Sequence, residues 1–209
     1  MNRALVQFES NLRSARQLGI IFQAFHGKVT NAISLDELLR AEIVLAVSAL
    51  DCYVHDVVRI GMVKSFQRMP GETSAYLNFR VSMQFVERLL QTPLPDEGRS
   101  LLDQEVRRLH GYRTFQNADN ISQALSLIGV AGMWDEVGIV LGMSSADVRT
   151  RLGLVVDRRN KIAHEADIDP STGIASKYPI DFATVREAVA FLEELVKSMH
   201  GVICRQIAF

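Results

Sequence analysis

Apolar residues recur at three- and four-residue intervals along nearly the whole chain, and strict apolar–polar alternation is almost absent. From about Asn2 to Phe25, the series Leu5, Phe8, Leu12, Ala15, Leu18 and Phe22 draws one stripe and predicts an amphipathic helix. Ser34, followed three residues on by Glu37, has the form of a capping box that opens a second helix reaching about Phe66. Between Leu38 and Val58 that helix is apolar on most faces, the pattern of an element packed on several sides. Pro70 and Gly71 predict a turn within Arg68–Thr73. The segment "YLNFRVSMQFVERLLQ" reads as a third amphipathic helix, stopped by the two prolines of "TPLPDEG".

Shorter helices follow at about Glu97–Leu109, Asp119–Ile128 and Met133–Leu141. Ser144 and Ser145 ahead of Asp147 mark the start of a helix that runs to about His164. "ADIDPSTGIASKYP" reads as loop, and "DFATVREAVAFLEELVKSMHGVICRQ" as a final long helix. The expected architecture is all-α: one domain over 1–209, with a core from about 34 to 207 and an N-terminal helix, about 2–25, packed on it.

Composition narrows the function classes. The chain of 209 residues is 48% hydrophobic and 22% charged, which supplies a sizeable core and argues against disorder. Its 23 basic and 24 acidic residues leave a net charge of −1, so no global basic field recruits a polyanion and any such site must be local. Cys52 and Cys204 stand far apart, outside any CxxC or Cys/His cluster, and read as buried or idle thiols of a reducing cytosol. No metal or cofactor is expected. Glu9, Arg13 and Arg16 interrupt the apolar run that a signal peptide needs, and Ile43–Leu50 is far too short to span a bilayer. The expectation is a soluble, cytoplasmic protein with no membrane partner.

The candidate chemistry is concentrated in "VVDRRNKIAHEADIDPSTG", where Arg158, Arg159, Asn160, Lys161 and His164 crowd the last turns of one helix. Asn160 and His164, four apart, share a face that Lys161 flanks. Arg159 lies about 140° from His164 around the axis, so it reaches the imidazole only if its stem wraps or the helix ends there. Such a trio suits metal-free RNA cleavage. An imidazole can take the proton of a ribose 2′-OH or protonate the 5′-oxygen leaving group. A guanidinium can hold the phosphate through paired hydrogen bonds and stabilise the added charge of the transition state. One His supplies one acid/base group per chain, and a two-fold dimer would supply the second. Spacing alone also fits cations that complement the C-terminal end of a helix dipole.

"RNKIAH", Arg159–His164, resembles the Arg–polar–x–x–x–His signature of HEPN domains, all-α modules found widely in prokaryotic toxin and defence systems. Together with "LLRAEIVLAVSALDCYVHDVVR", "YRTFQNADNI" and "RRNKIAHEAD", the chain is similar to the RiboL-PSP-HEPN branch from about Leu38 to Asp169. The resemblance implies a helical bundle that dimerises with two Arg–His motifs facing each other, and metal-independent endoribonuclease activity. By position it implies that Arg159 binds phosphate, Asn160 supports it and His164 is the acid/base residue; Arg158, one residue outside the signature, and Lys161 are further candidates for contact with the RNA backbone. The implied partners are RNA, a second copy of the chain and a cognate antitoxin or another defence-system protein. Two other readings remain: a non-catalytic module binding RNA or a partner protein, and a purely structural helical domain.

Other groups carry weaker signals. Asp51 and His55, four apart in the central helix beside Asp56, either orient the Arg–His site from behind or form a self-satisfying polar cluster; Glu42 is a further case. "DIDPSTG" begins like an EF-hand loop with Asp167, Asp169 and Ser171, but Thr172 replaces the glycine and Tyr178 the bidentate Glu, so calcium is rejected. His110, Tyr112, Arg113 and Phe115 could stack on a single strand or seat a loop on the core. Trp134 reads as core, and His26 and His200 as surface or helix-end residues.

Overall fold

The computed structural model describes residues 1–28, 34–67, 73–92, 94–172 and 176–207. Among them the protein is all-α, with α1 (Asn2–Phe25), α2 (Asp36–Gln67), α3 (Ser74–Leu77), α4 (Met83–Leu90), α5 (Pro95–His110), α6 (Ala118–Ser126), α7 (Met133–Leu141), α8 (Ser145–His164) and α9 (Phe182–Gln206). A 3-10 turn at Pro170–Thr172 and an isolated antiparallel bridge between Ile168 and Lys177 complete the regular structure. No described helix is long and apolar enough to cross a membrane.

Side-chain caps place most helix starts. Ser144 accepts the Asp147 N–H at 3.1 Å, Asn117 that of Asn120 and Asp181 that of Thr184, each satisfying a backbone donor that the first turn leaves open. Pro95 opens α5 at a position where its missing N–H costs nothing. The expected third helix is in fact two. Asn78 folds its amide back onto the Ser74 carbonyl at 2.8 Å and ends α3, and Ser82 then caps α4 by accepting the Phe85 N–H. The capping box at Ser34 is also not formed. α2 starts at Asp36, the Leu38 N–H bonds the Leu35 carbonyl, and Glu37 turns its carboxylate to Arg40 and Lys177. The turn expected at Pro70–Gly71 lies outside the described residues.

α2 is the spine, as its all-round apolar character predicts. It packs against α1, α5, α6, α8 and α9. Leu39, Ala46, Val47, Leu50, Val54, Val57 and Val58 are buried along it and meet Phe8 and Leu12 of α1, Leu152 and Val156 of α8, and Leu192 and Leu195 of α9 in one continuous apolar cluster. Gly61 lets α2 and the end of α6 approach closely, because a Cβ there would stand 2.5 Å from Ile128 Cγ2. Trp134 is buried, and its indole N–H finds the Ser122 hydroxyl at 2.7 Å.

Candidate functional site

α8 ends at His164 because the chain reverses immediately afterwards. Ala166 (φ 51°) and Asp167 (φ 58°) both adopt the left-handed conformation, and the Glu165 and Asp167 N–H groups both return to the Lys161 carbonyl. Two successive non-glycine residues in that region cost about 1–3 kcal/mol each, so something must hold them. The holder is Asp167 itself. Its side chain is fully buried, and Oδ2 accepts from Arg40 Nε at 2.7 Å and from Arg158 Nη2 at 2.8 Å. Both guanidiniums also donate to the Tyr178 carbonyl, and Arg158 to that of Pro179. The Asp167 carbonyl accepts the Tyr178 N–H, so the arms 165–172 and 176–178 lie against each other as a hairpin pinned to the start of α2.

With the helix closed at that point, Arg159 does reach His164. The stripe Val148–Leu152–Val156 that faces the core continues at Arg159, whose stem therefore starts on the buried side of α8. The guanidinium wraps round, donates from Nη1 to Asn160 Oδ1 at 3.0 Å and stands 3.5 Å from His164 Nε2. Arg159 Nε is buried without a partner, and among the described residues no carboxylate pairs with this cation. His164 is exposed. The three residues singled out by spacing thus form one group: a half-buried cation lacking an anion, an amide that steadies it and an accessible imidazole.

The remaining sequence candidates divide. Arg158, expected on RNA backbone, is engaged by Asp167 and two carbonyls and braces the hairpin instead. Lys161 stays half-exposed with its ammonium 4.7 Å from the Tyr178 ring centroid, a cation–π contact at the mouth of the group. Asp51 and His55 do not stand behind the site. Arg40 marks where α2 meets the end of α8, and Asp51 is about 16 Å further along the axis. There Asp51 accepts the Phe115 N–H at 2.5 Å, His55 lies 3.9 Å from the Asp51 carboxylate and its ring packs on Phe115, the self-satisfying cluster. His110 is buried in the same cluster, and burial, with Arg113 and His55 adding, pushes its imidazole down to about 4. Of the loop aromatics only Tyr112 remains exposed.

Arg40 and Asp167 escaped the sequence reading as functional residues. One signal existed, a lone cation in the apolar run that begins at Leu38, but its partner is 127 residues away and nothing local pairs them. His200, expected at the surface, is buried, with Nδ1 3.1 Å from the Tyr53 hydroxyl and Nε2 3.5 Å from Cys204 Sγ. Cys52 and Cys204 are both unpaired and exposed. Glu42 is buried with its carboxylate close against Gly19 of α1, which Phe182 of α9 also approaches; Oε2 is unpartnered, and desolvation raises the carboxyl to about 7 against the opposing pull of Arg16. The chain matches no known family model, no curated protein and no solved structure.

Proposed function

We propose that the protein is a metal-independent endoribonuclease of the HEPN type, a toxin or defence effector, whose site is formed by Arg159, Asn160 and His164 of two copies across a homodimer. The observation that carries the proposal is the state of Arg159. A half-buried guanidinium with an unpartnered Nε, held beside an accessible imidazole and lacking a carboxylate, is arranged for an anion supplied from outside. A phosphodiester supplies that charge. Arg159 then holds the non-bridging oxygens and stabilises the extra negative charge as the 2′-oxygen attacks. His164 exchanges the proton, either taking it from the 2′-OH or giving it to the 5′-oxygen. The His164 of the second copy performs the other transfer, which yields a 2′,3′-cyclic phosphate and a free 5′-OH. Leu154, 66% exposed and about 80° from His164 around α8, is one apolar residue on the side that such a dimer would cover.

A second reading draws on Arg158. With that cation engaged by Asp167, the group has little positive charge for RNA beyond Arg159 and Lys161. A non-catalytic module that binds a partner protein or RNA would need no more. Total RNA incubated with the protein in EDTA, beside His164→Ala and Arg159→Ala, separates the two. Discrete cuts ending in 2′,3′-cyclic phosphate, lost in both variants, are the expected result. Cleavage that survives His164→Ala would refute the mechanism, and intact RNA with binding retained would favour the second reading.

A further inference from the structure

Two residues separate His164 from Asp167, a fully buried carboxylate that two helices hold. Arg40 comes from α2 and Arg158 from α8, and both meet Asp167 on the same oxygen, Oδ2. Arg40 is itself buried and also bonds the Tyr178 carbonyl at 2.8 Å, so it grips both arms of the hairpin. Lys177 reinforces the hold from outside through Glu37 of α2. The last carbonyl with two return bonds, that of Lys161, lies one turn inside the helix, and Asp167 supplies one of those bonds. The backbone between Lys161 and Asp167, on which His164 rides, is therefore clamped at both ends.

We infer that Asp167, clasped between Arg40 and Arg158, fixes where the His164 imidazole stands, and that Arg40 and Asp167 are positioning residues for that imidazole. The kinetic consequence rests on the ribonuclease reading; the positioning itself does not. Neither residue touches the reacting atoms. Release of the hairpin from α2 frees the left-handed turn at Ala166–Asp167 to relax, and the terminal turn of α8 with it. A shift of about 1 Å in a reacting group is enough to cost between about 10- and 100-fold in rate.

Arg40→Met tests this most cleanly. It keeps an apolar stem in the buried slot and leaves Asp167 paired one-to-one with Arg158, so no buried charge is stranded. Arg158→Met is the second variant, leaving Asp167 paired with Arg40. Arg149→Met, which removes an ion pair to Asp119 near the other end of α8, is the control. In protein with isotope-labelled histidine, the His164 ring signal, assigned by its loss in His164→Ala, should shift or broaden in Arg40→Met and stay in place in Arg149→Met. In the cleavage assay, kcat should fall between about 10- and 100-fold in Arg40→Met with KM within about twofold. A folded Arg40→Met or Arg158→Met whose His164 signal is unmoved would overturn the inference, whatever its melting temperature. If the wild type cuts no RNA, the ribonuclease reading fails and the ring signal alone decides the positioning.

Discussion

Replacement of Glu42 by glutamine should change how the stability of the protein depends on pH. The carboxyl is buried at the junction of α1, α2 and α9, its Oε2 meets no donor, and burial raises it from 4.5 to about 7 despite Arg16 nearby. The folded chain therefore keeps a proton that the unfolded chain releases near 4.5, and native stability falls as pH rises through that window. Every tenfold difference in proton affinity between the folded and unfolded chain corresponds to about 1.4 kcal/mol. With screening by nearby solvent allowed for, the whole effect is about 2 kcal/mol. Glu42→Gln has the same shape and no proton to lose.

Urea unfolding of both proteins from about pH 4 to about pH 8, at one protein concentration, gives the difference directly. Glu42→Gln should match the wild type near pH 4, gain on it through the window and stay about 2 kcal/mol ahead above pH 7. The difference is the quantity to follow, because His110 titrates in the opposite sense. Its folded pKa of about 4 lies below the ordinary 6.5, so it lowers stability as pH falls between those values and flattens the wild-type curve. Parallel curves for wild type and Glu42→Gln would refute the reasoning and mean that water or a donor reaches Glu42.

Further expectations follow from other contacts. Arg159→Leu should lose cleavage yet unfold at the same or a higher urea concentration, since leucine suits the core-facing stripe on which Arg159 stands and the buried Nε loses nothing; a clearly lower midpoint would mean that the guanidinium is structural. Arg158→Met should leave RNA affinity within about twofold of wild type in filter binding at low salt, while loss of a phosphate contact would reduce it several-fold and lower its salt dependence. Gly61→Ala should destabilise by about 1–3 kcal/mol in urea, because overlap with Ile128 outweighs the roughly 1 kcal/mol that alanine gains in a helix. Ser82→Ala should cost about 1 kcal/mol through the lost cap of α4.

The sequence pattern located elements where local signals were complete. α7 matches its expected range of Met133–Leu141 because Gly132 and Gly142, both at positive φ, punctuate it on either side. It failed where two helices share one stripe: Phe79, Val81 and Val86 continue the apolar spacing across Asn78–Ser82, and only the capping bonds of Asn78 and Ser82 reveal the break. For the candidate site, the i, i+4 relation of Asn160 and His164 was legible, and so was the condition under which Arg159 could join them. The reason the condition holds was not. It depends on Asp167, which in sequence looks like the first ligand of a failed calcium loop and in space is an internal counter-ion for cations on two helices. Long-range pairs of this kind leave no periodicity to read.

The role of α2 as a shared wall has a consequence in time. Five helices bury part of their apolar surface against it, so its amides can meet solvent only when most of the bundle comes apart. α4 is at the other extreme, with Phe85 its one buried residue and Met83 and Leu90 mostly exposed. In deuterated water the amides of α4 should exchange within the shortest labelling times, and those of α2 near Val47–Val58 should exchange last, at the rate of global unfolding. The slowest exchange should therefore mark a single column through the middle of the bundle, with the hairpin at its start tied into the same slow unit through Arg40.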